Sequence, residues 1–281
     1  MATVTFELPT DHPGFADTAY RERRAAIAAV GRSYEPGDRI PDVVYTAQED
    51  EVWRVVSTEL AAKHRAVACR EYLRGSTRLV LAEARVPQLR DVDQRLHALT
   101  GFHIRPVAGL VPAVDFYASL ADRTFMSTQY IRHHSAPFYT PEPDVGHEII
   151  GHANMLASEP LAALYERAGR ASLRCTNEAA MDFFSKVFWF TLEFGVVRES
   201  GELKAYGAGL LSSYGELDAF GHAELRPFDI GAMGTLDYDI SHYQPVLFEA
   251  PSFDGLVDEL SRFFDEFGDD WHRDHSKGEQ R

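Results

Sequence analysis

Tyr139-Thr140-Pro141-Glu142-Pro143-Asp144-Val145-Gly146-His147-Glu148-Ile149-Ile150-Gly151-His152 is the stretch on which the fold turns. Each proline biases its predecessor away from helix, so 139–143 is extended or turning. Asp144 can then cap a helix over 145–158. A spacing of four would put both imidazoles on one helical face, as in the zinc-protease pattern. Here the spacing is five, and at about 100° per residue the second side chain points about 140° away from the first. Both still reach one metal if His147 lies in the opening turn, where backbone geometry departs from ideal, and Asp144 as cap places it at the third helical position. The spacing therefore argues against a zinc protease and admits a different metal site.

A third residue joins the pair. Glu193 lies in Phe188-Trp189-Phe190-Thr191-Leu192-Glu193-Phe194, and a carboxylate among such large apolar neighbours needs a cation or a metal. The chain has only two cysteines, Cys69 and Cys175, which excludes a disulfide framework and a cysteine-rich zinc site. Two imidazoles and one carboxylate form the facial triad of non-haem iron(II), with open positions opposite for oxygen or substrate. The same residues could instead make a structural network, with Glu193 paired to a buried arginine.

Working outward, helical composition fills 17–30. A second helix opens at Thr46, where Thr-x-x-Glu (Thr46 to Glu49) is a capping box, and runs towards Tyr72. Further helices fit 91–99, stopped by Gly101, and 112–121, 159 onward, 177–193 and 252–267. Val196–Arg198 and Leu203–Tyr206 flank a Glu-Ser-Gly-Glu turn and read as a hairpin. The 281 residues thus predict a single catalytic domain, α+β in class and predominantly α-helical with a few short strands. Its core spans 12–267, and 268–281 is expected to fray. The net charge of −15 repels phosphate backbones and anionic membrane surfaces, which disfavours nucleic acid as a partner. The N-terminus shows no basic start followed by an apolar run, and no stretch approaches 18 uninterrupted apolar residues, so a cytoplasmic protein without membrane contact is expected.

The sequence resembles the catalytic domain of the pterin-dependent aromatic amino acid hydroxylases over about residues 12–266. The resemblance is carried by His12-Pro13-Gly14-Phe15, by Thr100-Gly101-Phe102 through Arg105-Pro106-Val107-Ala108-Gly109-Leu110, and by Thr128-Gln129-Tyr130-Ile131-Arg132-His133. It continues through 139–152, Trp189-Phe190-Thr191-Leu192-Glu193-Phe194-Gly195 and Lys204-Ala205-Tyr206-Gly207-Ala208-Gly209-Leu210-Leu211-Ser212-Ser213, in family order and spacing. It implies an iron(II) monooxygenase that uses a tetrahydropterin such as tetrahydrobiopterin, with O₂ as co-substrate, to hydroxylate the ring of a free aromatic amino acid. The implied metal ligands are His147, His152 and Glu193. Gly109, Leu110 and Phe116 fall on the pterin site, with Glu148 beside it. Arg132 falls on the residue that clamps the substrate carboxylate, a role suited to a planar, permanently charged fork. Thr140 and Ser212 fall near the substrate backbone, and Pro143, Trp189, Phe194 and Gly209 on the ring pocket. Structural roles compete with these: Phe116 and Phe194 as plain core, Arg132 as the partner of Glu142.

Trp189 matches the phenylalanine and tyrosine enzymes rather than the tryptophan enzymes. Ile240 stands where the animal tyrosine enzymes carry an acid, and Phe194 with Gly209 fits attack at the para position. L-Phenylalanine to L-tyrosine is the expected reaction. Tyrosine or tryptophan hydroxylation and meta attack on phenylalanine are the alternatives within the family; a zinc hydrolase and a non-catalytic amino-acid-binding module are the alternatives outside it. Phe188 replaces a common tyrosine, Ala153-Asn154 a common Val-Pro, and Ala113 a serine. The resemblance further implies a stand-alone monomer, without regulatory or tetramerisation segments, that relies on separate pterin-recycling enzymes.

Overall fold

A computed structural model describes residues 8–276. Pro13–Ala16 (α1) leads into Thr18–Arg32 (α2), whose first turn is capped by Asp17 accepting from Tyr20 N at 2.9 Å. Ala47–Val67 (α3) opens on the expected capping box, with Thr46 Oγ1 accepting from Glu49 N and Glu49 Oε2 accepting from Thr46 N. The helix does not run on to Tyr72. Ala68 turns extended, Cys69 caps a separate helix, Arg70–Leu79 (α4), and Cys69 N donates to Ala205 O at 2.9 Å. Pairing with the end of a distant strand takes the N–H that a continuing helix would have used.

Leu89–Thr100 (α5) stops at Gly101, which takes the left-handed conformation expected of a helix terminator. His103–Pro106 (β1), Ala113–Leu120 (α6) and Thr124–Ser127 (β2) follow, with β1 and β2 paired in parallel. A π-helix, His147–Ala153, runs into Asn154–Leu156 (α7), then Glu159–Ser172 (α8) and Glu178–Phe188 (α9). A second π-helix, Trp189–Glu193, closes this part. Val196–Glu199 (β3) and Glu202–Ala205 (β4) form the expected hairpin, turned by Ser200 and Gly201, both at positive φ. Ala208–Ser212 (α10), Glu216–Ala219 (α11), Glu224–Pro227 (β5), Ile230–Thr235 (α12), Val246–Ala250 (β6) and Phe253–Glu266 (α13) complete the core. The hairpin is half of a four-stranded sheet in the order β4-β3-β6-β5.

The end of the described chain differs from expectation. Asp269–Ser276 (α14) is helical rather than frayed, and Trp271 packs on Phe263 and Phe267 with ring centroids 5.5 and 5.1 Å away. The rest of that tail, 277–281, lies outside the described residues. Among the described residues no helix is long and apolar enough to cross a membrane.

Helix α8 runs through the centre, with Leu161, Ala162, Leu164, Tyr165, Ala168 and Ala171 fully buried. Two polar side chains tie this core to the elements that carry the site. His64 Nε2 donates to Leu211 O of α10 at 2.6 Å, and Tyr72 Oη donates to Ile150 O of the first π-helix at 2.7 Å. Asn154, at the position of the common proline, donates to both Tyr72 Oη and Ile150 O. Burial holds His64 neutral by pushing it from 6.5 down to about 4. Between these values the unfolded chain binds the extra proton, so stability falls as pH drops through 6.5 towards 4. His64→Gln should lose less stability between pH 7 and 4.5 than the parent, by about 2–3 kcal/mol in urea unfolding; equal losses would remove His64 as the titrating group.

Candidate active site

The two histidines meet because the backbone between them is not α-helical. In a π-helix the hydrogen bonds run from i to i+5, so residues five apart lie one above the other. The expected account through an irregular opening turn is thereby replaced: the whole segment 147–153 carries the wider turn. His147 Nε2 lies 3.0 Å from His152 Nε2. Glu193 ends the second π-helix, which is closed by Phe194 N donating to Trp189 O at 2.8 Å, and its Oε1 lies 3.2 Å from His152 Nε2. Gly207 lets the chain pass directly over this carboxylate's own backbone; a Cβ there would collide with Glu193 O.

Each imidazole is pinned from behind. His147 Nδ1 lies 2.8 Å from Ser212 Oγ, and His152 Nδ1 2.8 Å from Tyr165 Oη. Both hydroxyls have acceptors of their own: Ser212 donates to Gly209 O, and Tyr165 points its proton at Met155 Sδ. Their lone pairs are thus free to accept from the two Nδ1–H groups, which turns both Nε2 lone pairs towards each other and Glu193. This is the outer support found around metal-bound histidines.

Two carboxylates compete for the third place. Ligand atoms of His147, Glu148 and His152 lie within 4.8 Å of one another, whereas Glu193 approaches through His152. Electrostatics separates them. Burial pushes Glu148 up to about 8, and its Oε1 is engaged by Thr128 N and Oγ1 at 3.3 and 3.4 Å. Burial works against ionisation of Glu193 too, but the adjacent His152 overcomes it and holds the carboxyl below its ordinary range. Glu193 in turn raises His152, while burial and His152 push His147 down to about 4. The result is two inward nitrogens and one anionic oxygen, a donor set that fits a divalent iron ion.

The residues expected on the substrate side fall into two groups. Arg132 is buried and grips Asp144 bidentately, Nε to Oδ2 at 2.9 Å and Nη2 to Oδ1 at 2.8 Å. Asp144 also accepts from Arg132 N and from His147 N, so the expected helix cap has a second task. Glu142 pairs with Arg24 and Tyr130, not with Arg132. Thr140 is turned to its own loop, donating to Glu142 O at 2.7 Å, while Pro143 O accepts from Thr128 Oγ1. Trp189 and Phe194 lie with ring centroids 4.4 Å apart, and Gly209 adjoins Phe194. Ser212 is drawn to His147 rather than to an open cavity.

On the other side, Gly109 and Leu110 occupy a half-buried loop after β1. Phe116 meets Phe125 and Phe188 edge-on, and Phe125 lies 4.7 Å from the His152 ring, so Phe116 reaches the histidines through one intervening ring. Ile240 is 70% exposed on the loop before β6, outside the pocket wall. Tyr165 escaped notice in the sequence, because on α8 it continues an apolar stripe of Leu161, Leu164 and Ala168.

Residues 1–275 match the family model described as biopterin-dependent aromatic amino acid hydroxylase. The chain is 50% identical over 259 residues to phenylalanine 3-hydroxylase of Streptomyces coeruleorubidus, covering 92% of this chain and 93% of that protein. It is 46% identical to tyrosine 3-monooxygenase of Schistosoma mansoni, covering 93% of this chain and 57% of the relative. Among solved structures, phenylalanine hydroxylase of Chromobacterium violaceum with bound oxidised Fe(III) superposes with a TM-score of 0.76 at 26% identity, over 90% of this chain and 95% of that one.

Removing one half of the buried Arg132–Asp144 pair leaves an uncompensated charge. Asp144→Asn should cost about 3–5 kcal/mol in denaturant unfolding; a loss below 1 kcal/mol would show that the pair does not hold the segment bearing Arg132 to the start of the histidine helix.

Proposed function

The chain belongs to the biopterin-dependent aromatic amino acid hydroxylase family, and we propose that it converts L-phenylalanine to L-tyrosine with iron(II), a tetrahydropterin and O₂. The observation that carries this reading is the convergence of His147 Nε2, His152 Nε2 and the Glu193 carboxylate, each imidazole braced by its own hydroxyl. These three residues would hold the metal. Iron(II) and tetrahydropterin, when bound, supply the activation of O₂ and the electrons by which one oxygen atom enters the ring.

The protein's own part is position, charge and dryness. Arg132 has two edges: Nε and Nη2 are committed to Asp144, and Nη1, with a long 3.4 Å contact to Pro137 O, is the edge left for a substrate carboxylate. Burial of this charge strengthens its pull on an anion. The packed Trp189 and Phe194 rings offer apolar ring edges to the substrate ring, and Gly209 leaves the room that the Phe194 ring takes up. Phe116 offers an edge-braced face for a planar pterin, near the Gly109–Leu110 loop. Glu148, kept protonated by burial, can donate a hydrogen bond to a heterocycle without adding negative charge beside the metal.

The Phe194–Gly209 pair fits attack at the para position, which supports 4-hydroxylation as the first reading. The 50% identity to a phenylalanine 3-hydroxylase supports a second reading, attack at the meta position. Each turnover oxidises the pterin, so separate recycling enzymes belong to the proposal, as does a cytoplasmic, monomeric protein.

Purified protein loaded with Fe(II) and supplied with a tetrahydropterin, O₂ and each aromatic amino acid in turn should form 4-hydroxyphenylalanine from phenylalanine, resolved from the 3-isomer by chromatography. No hydroxylated product from any of the three would sink the reading. His152→Ala should bind no stoichiometric iron by metal analysis; unchanged iron content would remove it from the ligand set.

A further inference from the structure

The loop 236–245, between α12 and β6, touches the ring pocket at two points. Tyr238 stacks on Trp189 with centroids 4.2 Å apart and planes 8° apart. Phe194 approaches the same indole at 4.4 Å and 35°. Two rings cannot share one face at those distances, so Trp189 is held between them. Beyond Phe194 stands Gly209, where a Cβ would come within 2.8 Å of the phenyl ring and within 3.1 Å of the backbone oxygen of Glu193. The order Tyr238, Trp189, Phe194, Gly209 therefore runs without a gap from an outer loop to the backbone of Glu193.

The second point is Gln244, buried at the end of the same loop. Its Oε1 accepts from Trp189 Nε1 at 3.0 Å, and its Nε2 donates to Asp239 O at 3.0 Å and His242 O at 3.1 Å. Its backbone N–H donates to buried Glu216 at 2.7 Å. Both amide protons and the amide oxygen are thus used, one to fix the indole and two to fix the loop. Glutamate could not donate to those two carbonyls, and methionine could serve neither side. The exposed Ile240, by contrast, touches the pocket only through the loop that bears it.

We propose that Tyr238 and Gln244 are positioning residues that choose the ring carbon to be hydroxylated, by setting the plane of Trp189 against Phe194. The inference rests on the hydroxylase reading above. A substrate ring lying against this stack moves with it, and a shift of about 1 Å suffices to exchange neighbouring ring carbons before the metal.

The test uses the iron-loaded enzyme with L-phenylalanine and compares Tyr238→Leu and Gln244→Met with the conservative Tyr238→Phe. Measured are the ratio of 4- to 3-hydroxylated product, KM against kcat, and bound iron. Tyr238→Phe keeps the stack and should keep the parental ratio and KM. Tyr238→Leu and Gln244→Met should shift the ratio about tenfold or more and raise KM, with iron content unchanged. Parental ratio and KM in both would overturn the inference, as would Tyr238→Phe behaving like Tyr238→Leu. Should Tyr238→Leu fail to fold, Gln244→Met decides alone. A parent that forms no hydroxylated product brings down the hydroxylase reading itself; an active parent with insensitive variants brings down only this inference.

Discussion

One carboxylate joins the two halves of the site. Asp144 accepts from the backbone N–H and from one guanidinium edge, Nε and Nη2, of Arg132, and from the backbone N–H of His147. A buried charge needs such company, since each ion loses several kcal/mol of hydration on entering the interior. The pairing is therefore a rigid constraint: wherever the arm carrying Arg132 goes, the start of the histidine helix goes too. Arg24, reaching from α2 to Glu142 and lying over the Tyr130 ring, clasps the same arm from outside. Two cations, one buried and one half-buried, in a chain with a net charge of −15 hold the arm that carries Arg132 in place. The exposed ion pairs elsewhere add little by comparison.

What the sequence made legible was local. The capping box at Thr46, the stop at Gly101 and the hairpin around Ser200-Gly201 rest on residue types whose side chains or backbone freedom settle their own neighbourhood. The break at Ala68 was not legible, because the partner that breaks the helix, Ala205, lies far along the chain. The four-stranded sheet was hidden for a similar reason: β5 is mostly exposed and has no alternation to betray it.

The site was half legible. Residue types pointed to His147, His152 and Glu193, but a spacing of five looked wrong by the rules of an α-helix. Hydrogen-bond register is not written in side-chain periodicity; the π segments are set by what packs around them, including Gly207 over Glu193 and Tyr72 on Ile150 O. Tyr165 and Gln244 were invisible for the opposite reason. Each has an ordinary place in its element, and only the fold shows which atom its polar end meets.

The π-helices have one more consequence. Compared with an α-helix of equal rise, each holds surplus backbone within its turn, and the surplus is what brings residues five apart into line. Taking one residue out of 148–151 would let the segment relax to ordinary helix, with hydrophobic character, caps and both histidines all retained. Such a chain would still have its core, yet the spacing would become four, the register of the zinc-protease pattern, and His152 would leave Tyr165 and Glu193. The chemistry of this pocket is thus encoded as much in a count of residues as in their kinds, and a length change too small to disturb the fold is the lightest edit that would erase it.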